Sequence, residues 1–233
     1  MTQIEVTYID HMGSDLSVVN AARVSFGKKS EWVYCGQSDG RDKGLAERDT
    51  KLINYLAKHK HLSPFNHTFA TFHVKAPVFV ARQLVKHEYM PWNEISRRYV
   101  DDKPEFYEPD VWRGKADNVK QGSAGEIRTS CVYNMSGELT HPRFAAWDVV
   151  DTSFSIYSSM IEAGVAPEQA RMVLPQSTMT EWYWSGTLGA FAKMCKLRCA
   201  TDTQYETQLV ANQISEKLGT LYPVSFQALM EYD

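Results

Sequence analysis

Residues 86–99 read Lys86-His87-Glu88-Tyr89-Met90-Pro91-Trp92-Asn93-Glu94-Ile95-Ser96-Arg97-Arg98-Tyr99, and the rest of the chain is organised around them. Too few of these positions are apolar to form a core stripe. The others supply cations and hydroxyls suited to a phosphate, amide and carboxylate groups suited to a sugar or base, and flat rings for stacking. Just upstream, Thr71-Phe72-His73-Val74-Lys75 alternates like a half-buried strand. Ala76-Pro77 reads as a helix start, with Pro77 at the first helical position, where its missing N–H costs little. A helix from Val78 should carry Gln83, Lys86 and His87 on one face, by their three- and four-residue spacing. Pro91 is expected to end or kink this helix, leaving Trp92 to Arg98 as a loop projecting from a rigid element. Polar loops held in that way are where binding chemistry concentrates.

Composition bounds the answer. At 233 residues the chain fits one domain, 1–233, long enough for a substantial core. A formal charge of −3 gives no electrostatic case for nucleic acid or a membrane surface. No apolar run is long enough to span a bilayer, and Met1-Thr2-Gln3-Ile4-Glu5 lacks the basic and apolar regions of a signal peptide, so a cytoplasmic protein is expected. Cys35, Cys131, Cys195 and Cys199 are too sparse for a disulfide scaffold. Cys195 and Cys199 share a helix face by spacing, but zinc needs about four ligands and no second pair is evident. Buried thiols are the expected reading, with no metal.

Taken in order, Ile4 to Ile9 alternates as a first strand, and Asp15 to Arg23 reads as a helix capped by Ser14 or Asp15. Gly27 to Gly44 is polar and loop-like, with Asp39-Gly40-Arg41-Asp42-Lys43 in it. Ala46 to Lys58 keeps a helical period. Three histidines, His59, His61 and His67, follow in nine residues. They suggest either a metal site or a loop in which His61 and His67 bond nearby backbone, and the lack of acidic or Cys partners favours the loop. Lys103 to Pro109 reads as extended, and Trp112 to His141, punctuated by glycines, as a long irregular excursion. Phe144 to Glu162 is a long helix stopped near Gly164, and Ala166 to Pro175 a short one. Thr178 to Tyr183 should be a strand, Thr187 to Leu197 a helix, and Asp202 to Leu218 the final long helix. Trp92, Trp182 and Trp184 fit an interface and a core equally.

The central stretch resembles the flavin-dependent thymidylate synthase family. That family carries Arg-His-Arg, seven residues and Ser, with Asn-Glu in the gap and Arg-Tyr after it. Here Lys86-His87-Glu88 precedes Ser96 by the same seven residues, with Asn93-Glu94 and Arg98-Tyr99 in place. The similarity runs from Asn20-Ala21-Ala22-Arg23-Val24-Ser25-Phe26 to Gln204-Tyr205-Glu206. It implies an α+β fold, a mixed central sheet flanked by helices, assembled as a homotetramer with active sites at subunit interfaces. It also implies reductive methylation of dUMP to dTMP, with methylenetetrahydrofolate as carbon donor, FAD as hydride carrier and NADPH as reductant. The resemblance places Gln83, Lys86, Glu94, Ser96, Arg98 and Arg171 at dUMP, alongside backbone groups of Ile95 and Arg97. The Arg97 side chain, standing where a small residue is usual, is expected at solvent. Arg198 matches the family's catalytic residue, an arginine that stabilises negative charge on the pyrimidine. From the residues alone, Arg171 could equally pair with a surface carboxylate and Arg198 could be a helix C-terminal charge facing the dipole.

On the flavin side the resemblance places Ser63, Lys86, His87, Glu88, Asn93, Glu94, Thr187, Gly189 and Lys193. Departures gather there. Lys86 keeps a charge but loses the planar fork of Arg, and Glu88 reverses the sign. Asn66 replaces a usual Glu, Thr187-Leu188-Gly189 replaces an Asn-x-Arg contact, and Lys193 replaces an Asn. A carboxylate near an anionic flavin would weaken binding unless a cation offsets it, and Lys193 is expected to compensate for Glu88. The departures also motivate two other outcomes: a relative that leaves a hydroxymethyl group on dUMP, and a dUMP-binding protein without catalysis.

Overall fold

The computed structural model describes residues 3–34, 43–100, 102–117 and 122–232. Cys35 and the Asp39–Asp42 run lie outside the described residues. Strand β1 (Glu5–Met12) leads to α1 (Asp15–Arg23). The Ser14 N–H donates to Ser17 Oγ at 3.0 Å, closing the start of α1. A short hairpin, β2 (Val33–Tyr34) and β3 (Lys43–Gly44), precedes α2 (Glu47–Lys58). A 3₁₀ turn over Ser63–His67 then feeds β4 (Phe69–Pro77) and α3 (Val78–Leu84). Next come β5 (Trp92–Glu94), a second hairpin of β6 (Val132–Tyr133) and β7 (Leu139–Thr140), and the long α4 (Pro142–Glu162). The chain closes with α5 (Pro167–Ala170), β8 (Met179–Thr187), α6 (Leu188–Arg198), α7 (Tyr205–Leu221) and α8 (Pro223–Glu231).

The main sheet has the order β1-β4-β8-β5. Every pairing in it is antiparallel, where the resemblance implied a mixed sheet. The α+β class stands: helices α2, α6, α7 and α8 pack with the sheet around one apolar core. β4 alternates as its sequence demands, with Phe72 and Val74 wholly buried. Trp182 and Trp184 are core residues, and Trp92 stacks on Trp182 at 4.4 Å between ring centroids.

That stacking explains one departure from the sequence reading. Trp92–Glu94 is an edge strand on β8, not a loop, because pairing there buries the Trp92 ring. The helix therefore ends at Leu84, well before Pro91, and Tyr89 (φ 59) turns the chain toward the sheet. Lys86 and His87 lie beyond the helix. Pro77 caps it rather than opening it, staying extended (ψ 153) and in register with Met179. A last helix, α8, lies beyond those read from the sequence: Pro223 at its first turn restarts a helix after α7. The buried Asp15 carboxylate accepts the N–H groups of Val224 and Ser225 at 3.1 and 2.8 Å, which fixes the start of α8 against α1.

Candidate active site

Helix α3 stands between two cavities. The first, about 550 Å³, is lined by Gln83 and Arg198 and walled by aromatics that include Phe79, Tyr107 and Trp112. Gln83 is held at both ends of its amide, donating to Gln204 Oε1 at 2.7 Å and accepting the Thr207 hydroxyl at 2.9 Å. Gln204 donates in turn to Glu206 at 3.2 Å, and the buried Glu206 pairs with Arg113 at 2.5 Å. Arg113 comes from the irregular excursion and lies 4.5 Å over the Tyr205 ring, so that segment helps to build the cavity. Burial, reinforced by the Glu206 carboxylate, raises the Tyr107 phenol, which therefore stays protonated.

Arg198 ends α6 and donates from Nε to His87 Nε2 at 3.2 Å. Burial, then the positive charges of Arg198 and Lys193, lowers the His87 imidazole from its ordinary 6.5 to about 4. At neutral pH it is an uncharged acceptor that fixes the guanidinium. An unfolded chain protonates this ring near 6.5, so between about 6.5 and 4 the unfolded state holds more protons. The contribution of His87 to stability is thus full above that range and falls as pH drops through it. An imidazole titration followed by NMR should show no protonation until below about pH 5; a midpoint near 6.5 would contradict this placement.

The second cavity, also about 550 Å³, is lined by Glu94, Ile95, Arg97 and Arg171, with Arg82 from α3. Glu94 accepts the Thr180 hydroxyl at 2.7 Å and the Trp92 indole N–H at 3.1 Å. Beside it, Arg98 donates from Nε to Ser96 Oγ at 3.2 Å, placing a hydroxyl and a guanidinium together. Arg97 does not extend into solvent. Its side chain is 15% exposed and bonds the Asp102 carbonyl at 3.0 Å, with the Asp102 carboxylate at 3.4 Å. Arg171 is exposed, and its Nε donates to the Glu168 carbonyl at 3.2 Å; among the described residues no carboxylate pairs with it.

The third cavity, about 540 Å³, brings His87, Gly189 and Lys193 together over an apolar floor that includes Ala57, Leu62 and Leu229. Two further lysines, Lys60 and Lys196, line it and were not singled out from sequence. Thr187 caps α6, accepting the Ala190 N–H at 3.2 Å while its hydroxyl donates to Asn66 Oδ1 at 2.9 Å. A Cβ at position 189 would lie 2.7 Å from the same Asn66 oxygen. Three of the departures, Asn66, Thr187 and Gly189, are therefore mutually fitted. Ser63, Lys86, Glu88 and Asn93 do not line this cavity. Lys193 lines this cavity and Glu88 does not, and the Lys193 charge bears on His87. Among the described residues, His61 and His67 make no side-chain bonds to backbone; the rings of His59 and His61 pack against Tyr55, at 4.2 and 6.3 Å. Among the described residues, no three His, Cys, Asp or Glu side chains gather as metal ligands would. No helix of the described residues is long and apolar enough to cross a membrane.

Residues 7–224 match the family model described as thymidylate synthase complementing protein. The chain is 37% identical over 227 residues to a flavin-dependent thymidylate synthase of Thermus thermophilus, covering 97% of this chain and 76% of that one. It is 34% identical over 232 residues to the enzyme of the same name from Thermosipho melanesiensis, covering 97% and 90%. Among solved structures it resembles the UMP/dUMP methylase PolB from Streptomyces cacaoi bound with 5-Br dUMP, at 28% identity and a TM-score of 0.75, over 100% of this chain and 96% of that one. The chain belongs to the flavin-dependent thymidylate synthase family.

Proposed function

We propose that this protein converts dUMP to dTMP by reductive methylation, with methylenetetrahydrofolate as carbon donor, FAD as flavin and NADPH as reductant, in the cytoplasm. The observation that carries the reading is the convergence of Gln83 and the fixed Arg198 on one aromatic-walled cavity. None of the described cysteines lines any of the three cavities, and its Cys199 neighbour together with burial raises the Cys195 thiol. Uracil C5 is a poor nucleophile, so without a thiol to attack C6 the ring must be made electron-rich in another way. A guanidinium held against the pyrimidine does so by stabilising negative charge spread over it, and it needs no proton transfer. The contact with His87 uses only Nε, so both Nη groups keep donors for the ring oxygens. Ser96 and Arg98 supply a hydroxyl and a guanidinium for the phosphate, and Arg171 adds a second guanidinium.

The chemistry of the third cavity fits a flavin: an apolar floor and a neutral imidazole for a ring, and lysines for a diphosphate. A bound flavin supplies the two-electron reduction that turns the transferred carbon into a methyl group. Within one chain, Gln83 and Arg198 open on one side of α3 and Glu94, Ile95, Arg97 and Arg171 on the other. This division supports a site completed by a second copy, in a homotetramer. The exposed apolar side chains of α4, Phe144 and Ile156 among them, offer a face for such packing. The test is the mass of the product formed from dUMP, methylenetetrahydrofolate, FAD and NADPH. A gain of one methylene with loss of the C5 hydrogen is expected. A product heavier by a further oxygen would replace methylation by hydroxymethylation, and no C5 hydrogen release would reduce the protein to a nucleotide binder.

A further inference from the structure

The third cavity carries more charge than the residues assigned to it explain. Lys60, from the turn after α2, and Lys193 and Lys196, from α6, line it, and among the described residues no carboxylate does. Like charges round one recess repel each other and concentrate anions there, so the arrangement suits a ligand that brings negative charge. The floor is apolar, so that ligand also carries a flat or apolar part. Gly189 offers no side chain at its own edge of the recess, and Lys86 lies outside it. Among the described residues of one chain, the lysine grip on this recess comes from these three.

Lys60 is the most telling of them. Its backbone is left-handed (φ 56), a conformation that is strained for a residue with a Cβ and natural for Gly. That backbone closes α2 in a Schellman cap, the Lys60 and His61 N–H groups donating to the Ala57 and Leu56 carbonyls at 3.0 and 2.9 Å. The Lys60 ammonium has no hydrogen-bond or ion-pair partner among the described residues and is left to face the recess. Lys196 reaches the same recess from α6 while its Nζ donates to the Tyr232 carbonyl, which ties the end of the chain to the cavity wall.

We propose that Lys60 and Lys196, acting with Lys193, hold the diphosphate of a flavin dinucleotide in this cavity. The assignment rests on the flavin-dependent reading above. It gives the chain a cationic grip built from α6 and from the turn after α2. The two partners differ in what replacement should do to the fold: Lys60→Gly removes the charge and relieves the backbone, whereas Lys196→Met removes the charge and keeps the apolar stem.

Titrations of FAD and of riboflavin, followed by flavin fluorescence, test it. Each variant should raise the FAD dissociation constant about tenfold, the scale of one charged contact, and leave that for riboflavin unchanged. The FAD affinity of wild type should also fall more steeply with salt than that of either variant. Lys60→Gly should melt no lower than wild type, so weakened FAD binding in that variant cannot be a folding defect. Unchanged FAD binding in Lys60→Gly and Lys196→Met, with wild type binding FAD, overturns the lysine assignment alone. Equal weakening of riboflavin also overturns it, because the loss would then be structural. A wild-type protein that binds neither compound overturns both this assignment and the flavin-dependent reading.

Discussion

Replacing Arg198 by Ala is expected to lower turnover of dUMP by roughly 10²–10³-fold while leaving the fold intact, the scale measured when one charge-stabilising donor is removed from an active site. The side chain sits at the last turn of α6, so its loss removes a charge near the helix dipole but no core packing. Arg198→Lys is expected to recover little, because an ammonium is a point charge and cannot both bond His87 and present a planar fork to a ring. The measurement is kcat and KM for dUMP in each variant. A variant that turned over within a few-fold of wild type would leave Arg198 with only its role as a helix C-terminal charge.

The second large effect is on stability. Asp49 is wholly buried on α2, and its Oδ1 accepts from Arg23 and, at 3.0 Å, from the Ser30 hydroxyl. Ser30 is clamped in turn by Asn20, which accepts its N–H at 2.7 Å and donates to its carbonyl at 3.1 Å. One carboxylate therefore ties α1, the segment after it and α2 together. Removing one partner of a buried pair costs about 3–5 kcal/mol, because the other is left uncompensated. Arg23 retains some solvent contact, so Asp49→Ala should fall at the lower end, a drop in Tm of roughly 6–12 °C for a chain of this size. Thermal melts of Asp49→Ala and Asp49→Asn check this. A shift below about 2 °C would mean that the pair contributes no more than a surface ion pair.

Much of the fold is legible in the sequence because it follows from periodicity. The alternation at 71–75, the helical spacing at 46–58 and 144–162, and the stop at Gly164 each appear as read, within a few residues at the ends. What was not legible depends on contacts between distant segments. Trp92–Glu94 looks like a loop until Trp182 offers its ring a partner, and the antiparallel order of the sheet follows from pairings no local pattern encodes. Arg97 looks solvent-bound until Asp102 folds back to meet it. Lys60 carries no signal in a run of histidines, and its left-handed backbone and cavity position exist only in three dimensions. The candidate site divides in the same way. The spacing motif proposes a set of residues, and the structure puts Gln83 and Arg198 on one side of α3, Glu94, Ile95 and Arg97 on the other, and His87, Gly189 and Lys193 in a third cavity.

The most direct measurement is a crystal structure of the protein with dUMP. It should show the uracil ring against Gln83 and Arg198 of one subunit and the phosphate on Ser96 and Arg98, with no bond between C6 and any sulfur. A nucleotide found elsewhere, or joined through C6 to Cys199, would contradict the account.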